Sequence, residues 1–134
     1  MGEKVRATRL RHLAAGLAFA SQAIHLWVIP GQLTSAVLPG IFFFLVAVGQ
    51  GLLGAGLLFG GGRWTARFGV LLNVFVVLVW VLTRAVSVPQ IFEPIRLPVE
   101  GLGAVAAATE IVLIFVLMML KRSIPRKKKA RRPR

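Results

Sequence analysis

Ionisable side chains lie in or beside long apolar stretches of this sequence, where they could handle a proton or a cation. Glu110 falls near the middle of one apolar run, and His25 falls inside another. Arg84 lies close to the end of a third run, and Glu100 lies close to the start of the run that contains Glu110. An acid buried in apolar surroundings must be protonated, be paired or face a water-filled cavity. Glu110 therefore calls for a structural or a functional explanation.

Uncharged polar residues accompany these groups. Together with Glu110 they place at least one polar residue near the middle of every apolar run; they are Ser21, Gln22, Gln50 and Asn73. Hydrogen bonding between helices would explain such a layer, and His25 could take part in it. Binding or passage of a proton, a cation or a small solute is the alternative. The sequence leaves both explanations open.

Arg84, His25 and Glu100 are expected to form an outer layer above Glu110. Arg84 follows Asn73 and Trp80 at helical spacing, so these three residues share one stripe. Arg84 could line a cleft and pair with an acid, or it could extend its head to the membrane surface. Glu100 could simply favour the N-terminal end of its helix. The functional interpretation is an outward-facing polar cleft.

Four apolar runs must position these residues, at about residues 12–29, 38–60, 64–88 and 99–120. Each run is long enough to cross the roughly 30 Å hydrocarbon core of a bilayer as an α-helix. Backbone groups in lipid have to be satisfied internally, which favours helices. Because the connections are short, the sequence predicts an all-α fold, a transmembrane up-down-up-down four-helix bundle.

The distribution of basic residues predicts the orientation of this bundle. The formal net charge is +13, and most of the positive charge lies in residues 1–11, between the second and third runs, and in residues 121–134. Cytoplasmic segments of membrane proteins carry the excess of Lys and Arg. We therefore expect both termini on the cytoplasmic side of a bacterial inner membrane, with the proline-rich connection 85–98 outside.

The C-terminal segment is predicted to be a disordered polybasic tail. Beside an anionic leaflet, each basic residue contributes about 1 kcal/mol of attraction. The residues expected to contact lipid headgroups are Lys121, Arg122, Arg126, Lys127, Lys128 and Lys129. Binding of an acidic protein partner is an alternative for this tail. Nucleic acid is not expected as a partner, because no aromatic residues alternate with the charges.

Small residues recur at spacings that let membrane helices approach closely. The residues expected at such contacts are Gly51, Gly56, Gly60, Gly103 and Ala107. Residues 49–54 also match the G-x-G-x-x-G pattern of dinucleotide sites, but no strand precedes them. Packing is therefore the preferred interpretation of these glycines.

Composition excludes several kinds of chemistry. The chain has no cysteine, which excludes disulfides and thiolate metal sites, and no aspartate, which excludes a Ser-His-Asp triad. His12 and His25 are far apart along one helix and on opposing sides, which argues against a shared haem. A metal at His25 and Glu100 would have few protein ligands. No cofactor is expected, although a metal stays open, and no motif indicates an enzyme.

One set of residues resembles a known layout. Gly40-Ile-Phe-Phe43 is followed by Gln50, by Trp80-x-x-Thr83-Arg84 and by Pro89, with Glu100 and Glu110 after them. This layout resembles that of small uncharacterised bacterial four-helix integral membrane proteins, over most of the chain except the tail. The resemblance implies an architecture and no particular activity.

Two functions follow as hypotheses. The first is a small non-enzymatic membrane protein whose polar cleft binds or passes a proton, a cation or a small solute, working as a homo-oligomer because four helices leave little room for a pore. The second is an accessory subunit that packs against a larger membrane complex through its glycine-lined faces. In the second case Glu110 would only connect helices.

Overall fold

A computed structural model describes residues 2–35, 37–85 and 100–124, except for the side chains of residues 3, 32, 34, 35, 85 and 100. This part of the chain is helical apart from one turn and residue 124. The helices are α1 (Gly2–Ser35), α2 (Val37–Leu58), α3 (Arg63–Ala85) and α4 (Glu100–Ser123). Residues 86–99 of the proline-rich connection and most of the basic tail, including Arg126, Lys127, Lys128 and Lys129, lie outside the described residues.

All four helices are long and apolar enough to cross a membrane. Their apolar stretches cover 28, 22, 22 and 23 residues, and about 20 residues suffice for a bilayer. Few of these residues are buried inside the protein, so much of the apolar surface faces outward. This part of the prediction, four helices able to span a membrane, is confirmed.

The first helix is longer than the sequence pattern indicated. It includes the basic segment expected to precede it, residues 1–11, from Gly2 onward, and it continues past Pro30 into the expected loop. An apolar count cannot detect the first extension, because charged residues form helices readily outside a membrane. Pro30 lacks the N–H that would bond to Leu26, but its fixed φ angle is compatible with helix. Only five residues of helix follow it.

The helices form a closed ring. Each one packs against its neighbours in sequence, and α4 packs against α1. Within the described ranges, α1 does not contact α3, and α2 does not contact α4. Buried alanines of α1 and buried leucines of α2 and α4 fill the ring between the polar residues and one end; they include Ala14, Ala18, Leu57, Leu113 and Leu117.

Small residues permit several of these helix contacts. A Cβ on Gly51 would lie 2.5 Å from Gln22 Nε2, and one on Gly54 would lie 2.9 Å from the Phe19 ring. Both contacts join α1 to α2. Ala107 of α4 is buried as well. Gly51 and Ala107 therefore lie where close packing was expected of them.

Gly60 does not act as a helix-packing residue, which corrects that expectation. Helix α2 ends at Leu58, and Gly60 has a φ of 92°, which L side chains rarely adopt. The Gly61 N–H donates to the Gly56 carbonyl at 2.7 Å, and the Gly60 N–H donates to the Leu57 carbonyl at 3.4 Å. This pair of bonds is a Schellman motif, so the G-x-x-x-G of residues 56–60 terminates a helix.

Gly61→Ala is expected to destabilise the protein by about 1–2 kcal/mol, because overpacking of a fixed backbone is costly. A Cβ at this position would lie 2.6 Å from the Gly56 carbonyl oxygen, which cannot move without breaking the turn. The neighbouring Gly62→Ala is the matched control, since its Cβ would meet nothing within 4 Å. Denaturant unfolding of both variants in detergent tests this, and equal stabilities would contradict the packing argument.

Candidate functional site

Five polar side chains are buried at the centre of the ring, and we refer to them as the polar cluster. Every helix contributes at least one of them: Ser21, His25, Gln50, Asn73 and Glu110. His25 is 3% exposed, Glu110 is 1% exposed and the other three are fully covered. The cluster is thus closed to the surroundings in this structure.

His25 and Glu110 form the only described pair of oppositely ionisable groups. His25 Nε2 of α1 lies 2.8 Å from Glu110 Oε1 of α4. At this distance one hydrogen bond joins the two atoms, and either the imidazole ring donates to the carboxylate or the carboxyl group donates to the imidazole. The Phe43 ring of α2 stacks on the imidazole, with centroids 5.7 Å apart. The pair is therefore a buried contact between an acid and an imidazole, enclosed by three helices.

A second polar pair joins α2 to α3. Gln50 Nε2 donates to Asn73 Oδ1 at 2.8 Å, and Asn73 Nδ2 donates to the Gly69 carbonyl at 2.7 Å. Asn73 thus uses both ends of its amide, and one of its bonds is to its own helix. The arrangement fixes the orientation of the Asn73 side chain and presents its oxygen to Gln50.

Two atoms of the polar cluster lack hydrogen-bond partners within the described part of the chain. They are Ser21 Oγ and Gln50 Oε1, and both are buried. Gln22 packs against Gly51, so the adjacent residues Ser21 and Gln50 lie at a similar level of the α1–α2 interface. Ser21 is also one helical turn from His25. The cluster therefore retains a free hydroxyl and a free carbonyl between its two bonded pairs.

Gln22 belongs to the border of this cluster. Its side chain is half-buried and covers Gly51, where any larger residue would displace it. It differs from Ser21, its neighbour in sequence, which points to the interior. The predicted layer of polar residues is thus present in the structure, with Gln22 at its edge.

Arg84 lies away from the polar cluster. Its guanidinium is 4.3 Å from the centre of the Trp80 ring, and its side chain is exposed. A Cβ on Gly103 of α4 would lie 2.9 Å from Arg84 Nη2 and 3.2 Å from Trp80 Nε1. Gly103 thus makes room for a stacked Trp–Arg pair where α3 ends. The Glu100 side chain lies outside the described residues, so its predicted place in this outer layer stays a prediction.

A metal centre finds no support in the described ranges. No group of three or more His, Cys, Asp or Glu side chains is assembled there. His12 lies thirteen residues before His25, is exposed and contacts the Thr8 carbonyl at 3.0 Å. Any cation bound at the polar cluster would meet only one carboxylate and one imidazole, together with neutral oxygens.

Comparison with known proteins gives no relative. No family model, no curated protein and no solved structure matches this chain. Its function has to be argued from its own residues. The resemblance to small four-helix membrane proteins remains an expectation.

Two participants in the site lie outside the predictions made from the sequence. Phe43 belongs to the run Gly40–Phe43, and nothing in that run indicates that its ring covers His25. The Gly69 carbonyl, which orients Asn73, was not considered at all. The contact between Asn73 and the Gly69 carbonyl could have been predicted, because the two residues are four positions apart on one helix. The contact between Phe43 and His25 depends on how α1 and α2 are rotated against each other, which no local sequence pattern indicates.

Proposed function

We propose that this chain is an integral membrane protein whose four helices cross the bilayer in up-down-up-down order. Large apolar side chains in mid-helix support insertion, since Leu52, Leu71 and Phe115 are each more than 60% exposed. Such surfaces are unfavourable in water and suited to lipid. Contacts between opposite helix ends support the order: Leu33, late in α1, meets Gly40, early in α2.

The proposed orientation has both termini in the cytoplasm. Arg63 and Arg67 begin α3, Lys121 and Arg122 end α4, and basic residues fill the start of α1. These segments belong at one membrane face in the up-down order, and basic residues accumulate on the cytoplasmic side. The stacked Trp80 and Arg84 then lie towards the outer face.

Within this protein, we propose that the polar cluster reversibly binds a proton and passes it across the membrane. The observation that carries the proposal is the buried contact of 2.8 Å between His25 and Glu110. An ionisable group costs at least about 2.5–3.5 kcal/mol at the centre of a membrane helix, which favours a functional reason for keeping it. A proton suits a closed site better than a solute does, because a proton needs no cavity.

Transport further requires that the cluster reach water at alternate times. Ser21 Oγ and Gln50 Oε1 are suited to hold water that enters beside the pair. Movement of α4 against α1 would open the site, since the His25–Glu110 contact joins these two helices. An outward-facing polar cleft would be the open state, towards the end where Trp80 and Arg84 lie.

Proton flux into proteoliposomes tests this function. We expect a flux driven by a potassium diffusion potential, reduced at least about tenfold in Glu110→Gln and in His25→Gln. His12→Gln is the matched control, because it removes the other histidine of α1 at an exposed position, and it should leave the flux unchanged. An undiminished flux in Glu110→Gln would disprove transport through this pair.

Infrared spectroscopy separates proton binding from proton transport. If the pair binds a proton, either a carboxyl C=O band that vanishes in Glu110→Gln or an imidazole ring band that vanishes in His25→Gln should titrate in the wild-type protein. A titrating band without proton flux would support proton binding and exclude proton transport. The absence of both a titrating band and a proton flux would exclude proton binding and transport. The pair would then only connect α1 to α4.

The accessory-subunit hypothesis has weaker support. Gly51, Gly56 and Gly103, which were expected to line docking faces, meet side chains of this chain itself: Gln22, Thr65 and Arg84 respectively. Native mass spectrometry after mild extraction distinguishes the two functions. A homo-oligomer or a single chain favours the proton-binding protein, whereas other polypeptides in fixed ratio would favour the subunit.

A further inference from the structure

Basic side chains gather where the turn of residues 59–62 closes the bundle, and we call this the turn end. Arg11 of α1 lies over the turn, with Nη1 3.8 Å from where a Cβ of Gly60 would be. Arg63 starts α3, and its Nη2 donates to the Lys121 carbonyl of α4 at 3.1 Å. Arg67 lies over the Trp64 ring at 4.9 Å. Helices α1 and α3 thus direct positive charge to one end, where α4 supplies a backbone carbonyl.

Arg11 and Arg63 differ from ordinary surface arginines. Both side chains are half-buried, and the Nε atom of each is buried without a hydrogen-bond partner in the described part of the chain. Arg6 and Arg9, in contrast, are exposed on the same helix as Arg11. A guanidinium carries its donors in a planar fork, and leaving a donor buried and unpaired is unfavourable. Each of these half-buried arginines therefore carries a buried donor that no described residue satisfies.

Almost no acidic residue lies near the turn end in the sequence. The chain has four acidic residues, and none occurs between Glu3 and Glu93 or after Glu110. Glu3 is eight residues from Arg11, about 12 Å along the helix. Glu110 is occupied by His25 inside the ring. An anion that neutralises the positive charge at the turn end would therefore come from outside the protein.

Two exposed aromatic side chains indicate what kind of anion it is. Phe59 is 89% exposed and Trp64 is 79% exposed, and they flank the turn in sequence on either side. Exposed aromatic rings at the end of membrane helices lie at the boundary between headgroups and acyl chains. An anion here would have an apolar part beside Phe59 and Trp64 and a charged part at the arginines.

We propose that Arg11 and Arg63 form a binding site for the phosphate of an anionic phospholipid. Guanidinium groups bind phosphate oxygens by paired, charge-assisted hydrogen bonds. The site does not use the basic side chains of the polybasic tail, and it fixes the headgroup at the α2–α3 turn between α1 and α4. The proposal rests on membrane insertion, but it is independent of the proton chemistry of the polar cluster.

Lipid-dependent unfolding tests this site in the full-length protein. In neutral detergent, phosphatidylglycerol should raise the unfolding temperature more than phosphatidylcholine does. Arg11→Gln and the double variant Arg11→Gln/Arg63→Gln should lose most of this difference, with about tenfold weaker lipid binding. The matched control is Arg6→Gln/Arg9→Gln, which removes the same charge from exposed positions and should keep the difference.

Comparing the two lipids within each variant cancels any general loss of stability. Arg11→Gln alone also serves if the double variant folds poorly, since the described hydrogen bond belongs to Arg63. Equal losses in the Arg11/Arg63 and Arg6/Arg9 variants would overturn the site and leave diffuse charge attraction. Equal stabilisation by soluble glycerol phosphate would also overturn it, because the ligand would then be free phosphate.

Discussion

His25→Leu is expected to destabilise the protein by about 3–5 kcal/mol, because it leaves Glu110 buried without its partner. The two side chains are 3% and 1% exposed, so water cannot replace the lost contact without a rearrangement of the helices. Glu110→Leu should also destabilise the protein, because it leaves the His25 imidazole buried without its partner. Unfolding with a denaturing detergent in bicelles, followed by tryptophan fluorescence, measures both variants.

The double variant His25→Leu/Glu110→Leu provides the decisive comparison. Replacing both members of a buried pair with apolar residues is often nearly neutral, so the double variant should be more stable than either single variant. His12→Leu, at the exposed histidine of α1, should change stability by about 0.5 kcal/mol or less. A coupling of only about 0.6 kcal/mol, usual for neutral polar pairs between membrane helices, would contradict a charge pair.

The existence of the helices was predictable, and their ends were less so. Apolar runs of about twenty residues predict four helices, and four are present. Gly60 was assigned to helix packing because the spacing 56–60 fits a contact motif. The same spacing also fits a helix terminus, where the φ of 92° requires glycine. Sequence spacing alone does not distinguish these two uses.

The burial of the polar residues was predictable in part, but their pairing was not. Glu110 lies too deep in an apolar run to reach either end, and the structure buries it. Its partner His25 is 85 residues away, and the contact depends on α4 closing the ring against α1. The stripe from Asn73 to Arg84 suggested a continuous wall, yet Asn73 is buried while Arg84 is exposed over Trp80. Helical spacing gives a common face but not a common depth.

The sequence does not indicate which of the two histidines is buried. His12 and His25 both lie on α1, and both are flanked by apolar residues on at least one side. One is exposed and contacts the carbonyl of its own helix, whereas the other meets an acid of a different helix. The two residues are thirteen positions apart, about 20 Å along α1, so both their depth and the rotation of α1 about its axis separate these roles.

Asn73→Leu is expected to destabilise the protein by about 2 kcal/mol, clearly more than Gln50→Met. Asn73 supplies the only described partner of Gln50, so its loss leaves the whole Gln50 amide buried and unpaired. Gln50→Met removes an oxygen that has no described partner and leaves one acceptor, Asn73 Oδ1, unpaired, while Asn73 keeps its bond to the Gly69 carbonyl. We expect a cost of about 1 kcal/mol or less for Gln50→Met, as for polar contacts between membrane helices.

This asymmetry tests whether the Gln50–Asn73 pair is structural or takes part in proton transfer. If Gln50 Oε1 holds water for the His25–Glu110 pair, Gln50→Met should reduce proton flux severalfold while the protein stays nearly as stable as the wild type. Asn73→Leu should reduce stability and flux together, because it removes the group that orients Gln50. Gln50→Met with unchanged flux and the larger loss of stability would show that the pair only joins α2 to α3. The polar cluster would then consist of one proton-binding pair and one structural pair, at neighbouring levels of the same ring.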